Sequence, residues 1–380
     1  MAFDVHVLGT SSARPTPERA VSGSLVKGPD GIAVIDAGEG FQTRFMHQRR
    51  RMKHFAKGDT IKPSNVGVLA FTHGHLDHTW GALPWLQSMD LEHRMQPLLV
   101  IGPTSSTAIE AMKSGSPFPE EVPSADLARQ FVAWFSLGAH MIQFPIRWVL
   151  GDVDADRWVE VDPATNVVVE LDTMPQPDGW KQTTLSAHPT HHSVPSCGWM
   201  LKQSPTSGTF DRARADELGL NTKQRARLSR GEDIKAVDGT MLEASWFRSE
   251  GHPSVSVLLS GDTASCPPAW PVGLAPTLLI HEATFLNDQQ EKAHQHLHST
   301  AAGAAQTARA IGATYLALTH YSNRIKNTTA SVEEARSVAE GLPLVALDDG
   351  DRLRIGNDGS LAHLVLAEEG WKRRSIQPNR

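Results

Sequence analysis

Short apolar runs recur along the chain, and each stops abruptly at a cluster of Gly, Asp, Thr or His. They read GIAVIDAGEG (31–40), VGVLAFTHGH (66–75), PLLVIGP (97–103), SVSVLLSGDT (254–263), PTLLIHEATF (276–285) and ATYLALTH (313–320). Runs of this length, bounded by turn-forming or polar residues, predict buried strands that leave a sheet into loops. Helical patterns follow several of them. LDHTWGALPWLQSM (76–89) comes after the second run, and STAAGAAQTARAIGA (299–313) has Ser299 or Thr300 placed to cap a small-residue helix. SVEEARSVAEGL (331–342) repeats the device, with Ser331 as the expected cap and Glu333 and Glu334 in the first turn. Strands alternating with helices predict an α/β architecture. The rhythm breaks between about 104 and 182, a stretch rich in Pro, Asp and Trp. It is expected to be an insertion or lid on one domain spanning 1–380.

Several polar clusters at the strand exits are metal-ligand types. THGHLDH (72–78) brings His73, His75, Asp77 and His78 into one tight loop. Burying four such side chains without a cation would leave several polar groups unsatisfied, at roughly 1–3 kcal/mol each. Further candidates stand at other exits: His192 in HHSVPSCGW, Asp262 in LLSGDT and His320 in LALTHYS, with His188 and His191 as alternatives to His192. Catalytic sites typically use about three protein ligands per zinc and leave a position for water. Seven residues with one shared carboxylate therefore suffice for two ions. Ligand sites in α/β sheets collect at strand ends, which favours the joint assignment over seven separate structural roles.

Composition limits the partners. With 380 residues, 40% hydrophobic and 21% charged, and no apolar stretch of bilayer length, no membrane role is expected. MAFDVHVLGTSSARP lacks a basic stretch followed by an apolar one, so the expected location is cytoplasmic. Cys197 and Cys266 are too few for a disulfide framework and read as small buried thiols. A formal charge of −6 disfavours a protein that coats nucleic acid over its whole surface. One basic tract stands out: Arg44, Arg49, Arg50, Arg51, Lys53, Lys57 and Lys62, offset by Asp59. It is either a solvated helix face or a surface that steers an anionic substrate. GDVDADRWVEVD (151–162) is acidic and would repel a polyanion.

THGHLDH, HSVPSCGW, SGDT and LTHYS together resemble the metallo-β-lactamase superfamily, whose fold is a four-layer αββα sandwich. VLGTSSARPTPERAVSGSL, DAGEGFQTR, LIHEATF and HLHSTAAGAAQTA are similar to its ribonuclease Z branch, the tRNA 3′-endonucleases. GTFDRARADELGL and RLSRGEDIKAVDG resemble that branch's segment leading to its GDT. The resemblance implies that His73, His75 and His192 hold one metal and Asp77, His78 and His320 the other, with Asp262 bridging. His298 in HLHST and Glu282 in HEATF match the family's catalytic histidine and its carboxylate partner, and Asp77 counts with them as catalytic. Arg324, in HYSNRI, matches an arginine placed to contact substrate phosphate.

The implied enzyme is a phosphodiester hydrolase acting on precursor tRNA with a dimetal-activated hydroxide, and a homodimer. Its cofactors are two divalent ions, zinc first, with manganese or iron compatible with the same ligands. A second reading keeps the core but changes the substrate to a cyclic nucleotide, another small phosphodiester, an ester or a lactone. In that case Trp134, Trp148, Trp158 and Trp180 of the 104–182 stretch line a pocket lid. A non-catalytic, metal-stabilised binding protein is disfavoured, because the full ligand set and both proton-transfer positions are present.

Overall fold

A computed structural model describes residues 1–376 except Lys57, Ser207, Val237 and Glu250. Among the described residues two large sheets face each other. The first has eleven strands, in the spatial order Gly370–Arg374, Leu361–Ala367, Arg352–Ile355, Phe3–Gly9, Gly23–Lys27, Ile32–Ala37, Val66–Ala70, Leu98–Pro103, Ile146–Asp152, Arg157–Val161 and Val168–Leu171. The second has six, in the order Leu344–Ala346, Tyr315–Thr319, Leu278–Glu282, Val255–Leu259, Cys197–Gln203 and Thr183–Pro189. All six apolar runs of the sequence are strands, and they pair in parallel in two groups of three, one in each sheet.

Period-two alternation sorts their side chains into separate cores. Val34, Leu69 and Val100 point outward from the first sheet beneath the helices Phe41–Phe55 and Ala82–Leu91, where Phe41, Phe45, Trp85 and Leu86 cover them. Ile35, Val68 and Ile101 point the other way and meet Trp199, Val257 and Ile280 of the second sheet. On that sheet's far face Leu258, Leu279 and Leu316 pack under the helix Ala301–Ile311. Helix, sheet, sheet and helix make the four expected layers.

Three expectations need correction, the simplest being Cys266, which is exposed where Cys197 is the buried thiol expected. The 104–182 stretch is largely built into the first sheet. Its strand Ile146–Asp152 runs parallel to Leu98–Pro103, and two antiparallel strands carry the sheet onward. Trp134, Trp148 and Trp158 are buried in the cores and Trp180 packs between the sheets, so these rings fill the interior and line no lid. The apolar alternation that would have revealed the strands is masked by their solvent-facing charges. Ser331 is not a cap. Its helix, Thr329–Val338, starts earlier, where the Asn327 side chain accepts from the Thr329 amide and hydroxyl. Glu333 and Glu334 consequently lie beyond the first turn, and Glu334 accepts from the Asn287 and Ala302 amides, at 2.7 and 2.9 Å, so its charge meets the start of the neighbouring helix. That helix is capped by Thr300, whose hydroxyl accepts from the Gly303 amide.

A buried ion pair ties the first and last parts of the chain together. Arg352 donates to Asp4 and to Asp59, its guanidinium lies 4.7 Å from the Trp371 ring centroid, and His6 stands 3.5 Å from the Asp4 carboxylate. Burial pushes the Asp4 pKa upward, but His6 and Arg352 outweigh it and hold the carboxyl at about 2. A depressed carboxyl contributes stability above its unfolded value, near 4, and that contribution is lost as the pH falls towards the folded value. Urea titrations are therefore expected to find stability dropping between about pH 4 and pH 2. Asp4→Asn removes that component of the acid limb and costs roughly 3–5 kcal/mol at neutral pH, because Arg352 keeps its charge and loses its main partner.

Candidate metal centre

The site lies at one edge of the sandwich, where strands of both sheets end. Val66–Ala70 runs into Phe71–His75 and then the short helix Leu76–Thr79. This turn is fastened to the strand beside it. The Thr72 amide and hydroxyl both donate to Asp36, at 2.8 and 2.9 Å, and His78 Nδ1 reaches the same carboxylate at 2.7 Å. Gly74 is required by space: a Cβ there would fall 1.8 Å from the Ala125 carbonyl oxygen, and Gln130 donates to the Gly74 carbonyl. The 104–182 stretch thus braces the histidine loop from behind.

Ligand-type atoms converge in three overlapping groups. His73, His75, His192 and Asp262 form the first, Asp77, His78 and His320 the second, and Asp262, His298 and His320 the third. In the first, His75 Nδ1 lies 3.0 Å from His73 Nε2 and 3.2 Å from His192 Nε2. In the second, Asp77 Oδ2 lies 3.6 Å from both His78 Nε2 and His320 Nε2. Asp262 stands between them. Its Oδ2 faces His73 Nε2 at 3.7 Å, while its Oδ1 faces His78 and His320 at 3.4 and 3.3 Å. All seven residues singled out in the sequence meet here. His192 is the histidine of its run that does so; His191 gives its amide to the Thr263 hydroxyl, and His188 pairs with Ser186 on the strand Thr183–Pro189.

The outer nitrogens of these rings are tied off, which aims the inner ones. His192 Nδ1 donates to the Leu297 carbonyl at 3.1 Å, His320 Nδ1 to the Thr284 hydroxyl at 3.0 Å, and His78 Nδ1 to Asp36. Asp77 is steadied by the Ala13 amide at 2.8 Å. Asp36, Leu297 and His320 all hold left-handed backbone, with φ of 60°, 54° and 58°, and such strain persists where surrounding structure over-determines it.

Electrostatics show what the donor set suits. Burial and neighbouring histidines depress the pKa of His73, and burial lowers those of His75 and His192, the last to about 4. These rings meet nitrogen to nitrogen at 3.0 and 3.2 Å. His78 is pushed well upward: burial opposes its charge, but Asp262, Asp36 and Asp77 outweigh burial. Among the described residues Asp262 Oδ1 is buried without a hydrogen-bond partner. Converging lone pairs around an orphaned carboxylate oxygen fit divalent cations, and the imidazole and carboxylate donors suit zinc, manganese or iron.

Beside this cage, His298 Nδ1 lies 2.7 Å from Glu282 Oε1. Glu282 also accepts from the Thr263 amide at 2.9 Å and the Thr284 hydroxyl at 2.6 Å. Burial disfavours the His298 imidazolium, but Glu282 and Asp262 prevail and raise its pKa to about 9. His298, His75 and His192 line a cleft of 480 Å³ together with Arg14. Arg324 is exposed, bonds Gln289 at 3.1 Å and lines an adjoining cavity, outside the cleft of the cage. The basic tract is distant from this chemistry in function: Arg44 pairs with Asp349, Arg49 reaches Glu92, none of the tract lines the cleft, and Lys57 lies outside the described residues. Asp36 and Thr284 were not singled out from the sequence as site residues. The available signal for Asp36 was an acid closing an apolar run, in AVIDAGEG.

The metallo-beta-lactamase superfamily profile matches residues 16–203. A ribonuclease Z of Halobacterium salinarum is 30% identical over 350 residues, covering 92% of this chain and 96% of that protein. A ribonuclease Z of Myxococcus xanthus is 29% identical over 343 residues, covering 90% and 94%. Among solved structures, the short form of human tRNase Z superposes with a TM-score of 0.53 at 18% identity, covering 93% of this chain and 99% of that one, a likeness of fold.

Proposed function

Because this chain belongs to the ribonuclease Z family of the metallo-β-lactamase superfamily, we propose that it cleaves precursor tRNA at the 3′ end, as a homodimer with two zinc ions. Membership makes it a metal-dependent hydrolase. The observation that carries the substrate class is the Glu282-held His298 standing over a seven-residue cage, since an acid poised for a poor leaving group suits a ribose oxygen.

His73, His75 and His192 are assigned to one ion and Asp77, His78 and His320 to the other, with Asp262 shared. Bound divalent ions supply charge against the phosphoryl oxygens and lower the pKa of water. The remaining work falls to the chain. Glu282 occupies His298 Nδ1, which leaves Nε2 as the nitrogen that gives its proton to the departing oxygen. Thr284 orients Glu282 and His320 together. Asp77 is fixed by the Ala13 amide, and Ala13 itself lines the cleft. Arg14 in the cleft and Arg324 and Lys326 beside it concentrate positive charge where a polyanion would enter, despite the net charge of −6. The reading with a small substrate under a tryptophan lid loses its support, since those rings are interior.

The homodimer is proposed from the family resemblance. A cytoplasmic site of action is part of the same proposal; among the described residues no helix is long and apolar enough to cross a membrane.

The test is purified protein, with and without chelator, on precursor tRNA and on bis(p-nitrophenyl) phosphate. Cleavage of the tRNA is expected to vanish with chelator, to return with zinc, and to weaken steeply as salt rises. Turnover confined to the small ester, indifferent to salt, would overturn the RNA assignment.

A further inference from the structure

The cleft over the cage does not end at His298. A second cavity of 290 Å³ adjoins it, close to the lower size of small-molecule pockets at about 300 Å³. Thr284, Phe285 and Ser322 line both, so they form the shared wall. Of these, only Phe285 offers an aromatic face. It is half-buried, and its ring centroid lies 6.0 Å from that of His298 at an interplanar angle of 67°. Its backbone is pinned on both sides to the loop bearing His298: its amide donates to the Ser299 carbonyl at 3.2 Å, and its carbonyl accepts from the Ala301 amide at 3.0 Å. The ring and the imidazole therefore move as one body.

Beyond Phe285 the second cavity is lined by two exposed cations, Arg324 and Lys326, against one acid, Asp288. Arg324 bonds only the neutral Gln289, and Lys326 has no ion-pair partner among the described residues. An aromatic wall followed by free cations is the arrangement that takes a nucleobase and then a phosphate.

Resting on the ribonuclease reading above, we propose that this second cavity is a nucleotide subsite, in which Phe285 stacks the base on the leaving-group side of the scissile phosphate. The side follows from His298. The nitrogen free to donate is Nε2, so the nucleoside whose oxygen departs must lie against that ring. Phe285 is the ring next to it, and the phosphate on the 5′ side of that nucleoside, one removed from the scissile phosphate, falls towards Arg324 and Lys326. A half-buried aromatic wall of this kind tolerates any base, because every base has a π-face.

The test is a cycle between one protein change and one substrate change. Phe285→Leu keeps an apolar side chain in the wall and removes the π-face; Phe285→Trp keeps a face. The substrates are a precursor RNA and the same RNA made abasic at the nucleotide that precedes the cut. The wild type and Phe285→Trp are expected to cleave the intact RNA about tenfold or more faster, in kcat/KM, than the abasic one. Phe285→Leu is expected to cleave both at the slower rate, with metal content unchanged. Equal discrimination by wild type and Phe285→Leu would overturn the subsite alone. So would a parallel loss on both RNAs, which would mean that the ring acts only by packing on His298. Absence of RNA cleavage by the wild type, with bis(p-nitrophenyl) phosphate still turned over, would overturn the ribonuclease reading and the subsite with it.

Discussion

His298→Ala is expected to lower kcat on precursor tRNA by about 10²–10⁴-fold, the usual reach of general acid catalysis, while metal content stays at the wild-type level. The split follows from geometry. His298 meets Asp262 at 3.9 Å and packs its ring against those of His192 and His320, at centroid distances of 5.0 and 5.8 Å, but its strong contact is Glu282 at 2.7 Å. Removing it leaves the seven proposed ligands in place. A ribose oxygen is a poor leaving group and needs the proton, whereas p-nitrophenolate departs without one, so bis(p-nitrophenyl) phosphate should lose far less. Glu282→Gln should fall on the same path: the amide no longer favours the imidazolium, and the double variant should lose little beyond the larger single loss. The pH profile carries the sign. The acid must be protonated, so kcat/KM falls as pH rises through the His298 pKa. That value is about 9 with Glu282 and Asp262 as neighbours, and cations bound at Asp262 add positive charge nearby, so the alkaline limb should lie below 9. Glu282→Gln should move it lower still. An alkaline limb unmoved by Glu282→Gln, or equal losses on both substrates, would remove His298 from the role of acid.

Much of this centre was legible in the sequence, and the reason is local. Strand exits such as LLSGDT and LALTHYS place a single ligand each directly after an apolar run, and the run itself predicts where the chain leaves the sheet. The histidine loop needs still less, because its ligands are contiguous. What escaped depends on contacts between distant segments. Asp36 is tied to Thr72 and His78 across neighbouring parallel strands, and its left-handed backbone has no mark in the residue type. Thr284 looks like any strand-end threonine until Glu282, His320 and His298 gather around its hydroxyl. The 104–182 stretch reads as an insertion because its strands Arg157–Val161 and Val168–Leu171 lie towards the sheet's edge, where one face is charged. Glu160 pairs with Arg147, and Glu170 with Lys113 and Arg157. Edge strands carry such charge to resist pairing with other chains, and this blurs the apolar signal.

Asp262→Ala is expected to have the broadest effect of any single change, because its two oxygens face different halves of the cage. Oδ1 stands 3.4 and 3.3 Å from His78 and His320, and Oδ2 stands 3.7 Å from His73. Losing both contacts removes one negative charge from each proposed ion site, so metal content should fall from two per chain towards none under conditions that saturate the wild type. Activity on RNA and on the small ester should fall together, by at least about 10³-fold, since the stabilisation of charge in the transition state is lost for both. Stability separates this from simple misfolding. A ligand that binds only the folded chain raises its melting temperature in proportion to its occupancy, so zinc should raise the wild-type melting temperature and leave that of Asp262→Ala nearly unmoved. Without metal the order should narrow or reverse. The metal-free wild type buries a carboxylate oxygen with no hydrogen-bond partner among facing imidazoles, and alanine removes that unsatisfied group. Asp36→Asn provides the graded control: it loosens His78 without removing a ligand, and should weaken metal binding by about 10–100-fold. Two tightly bound ions per chain in Asp262→Ala would mean that the carboxylate is not shared, and the cage would have to be reassigned.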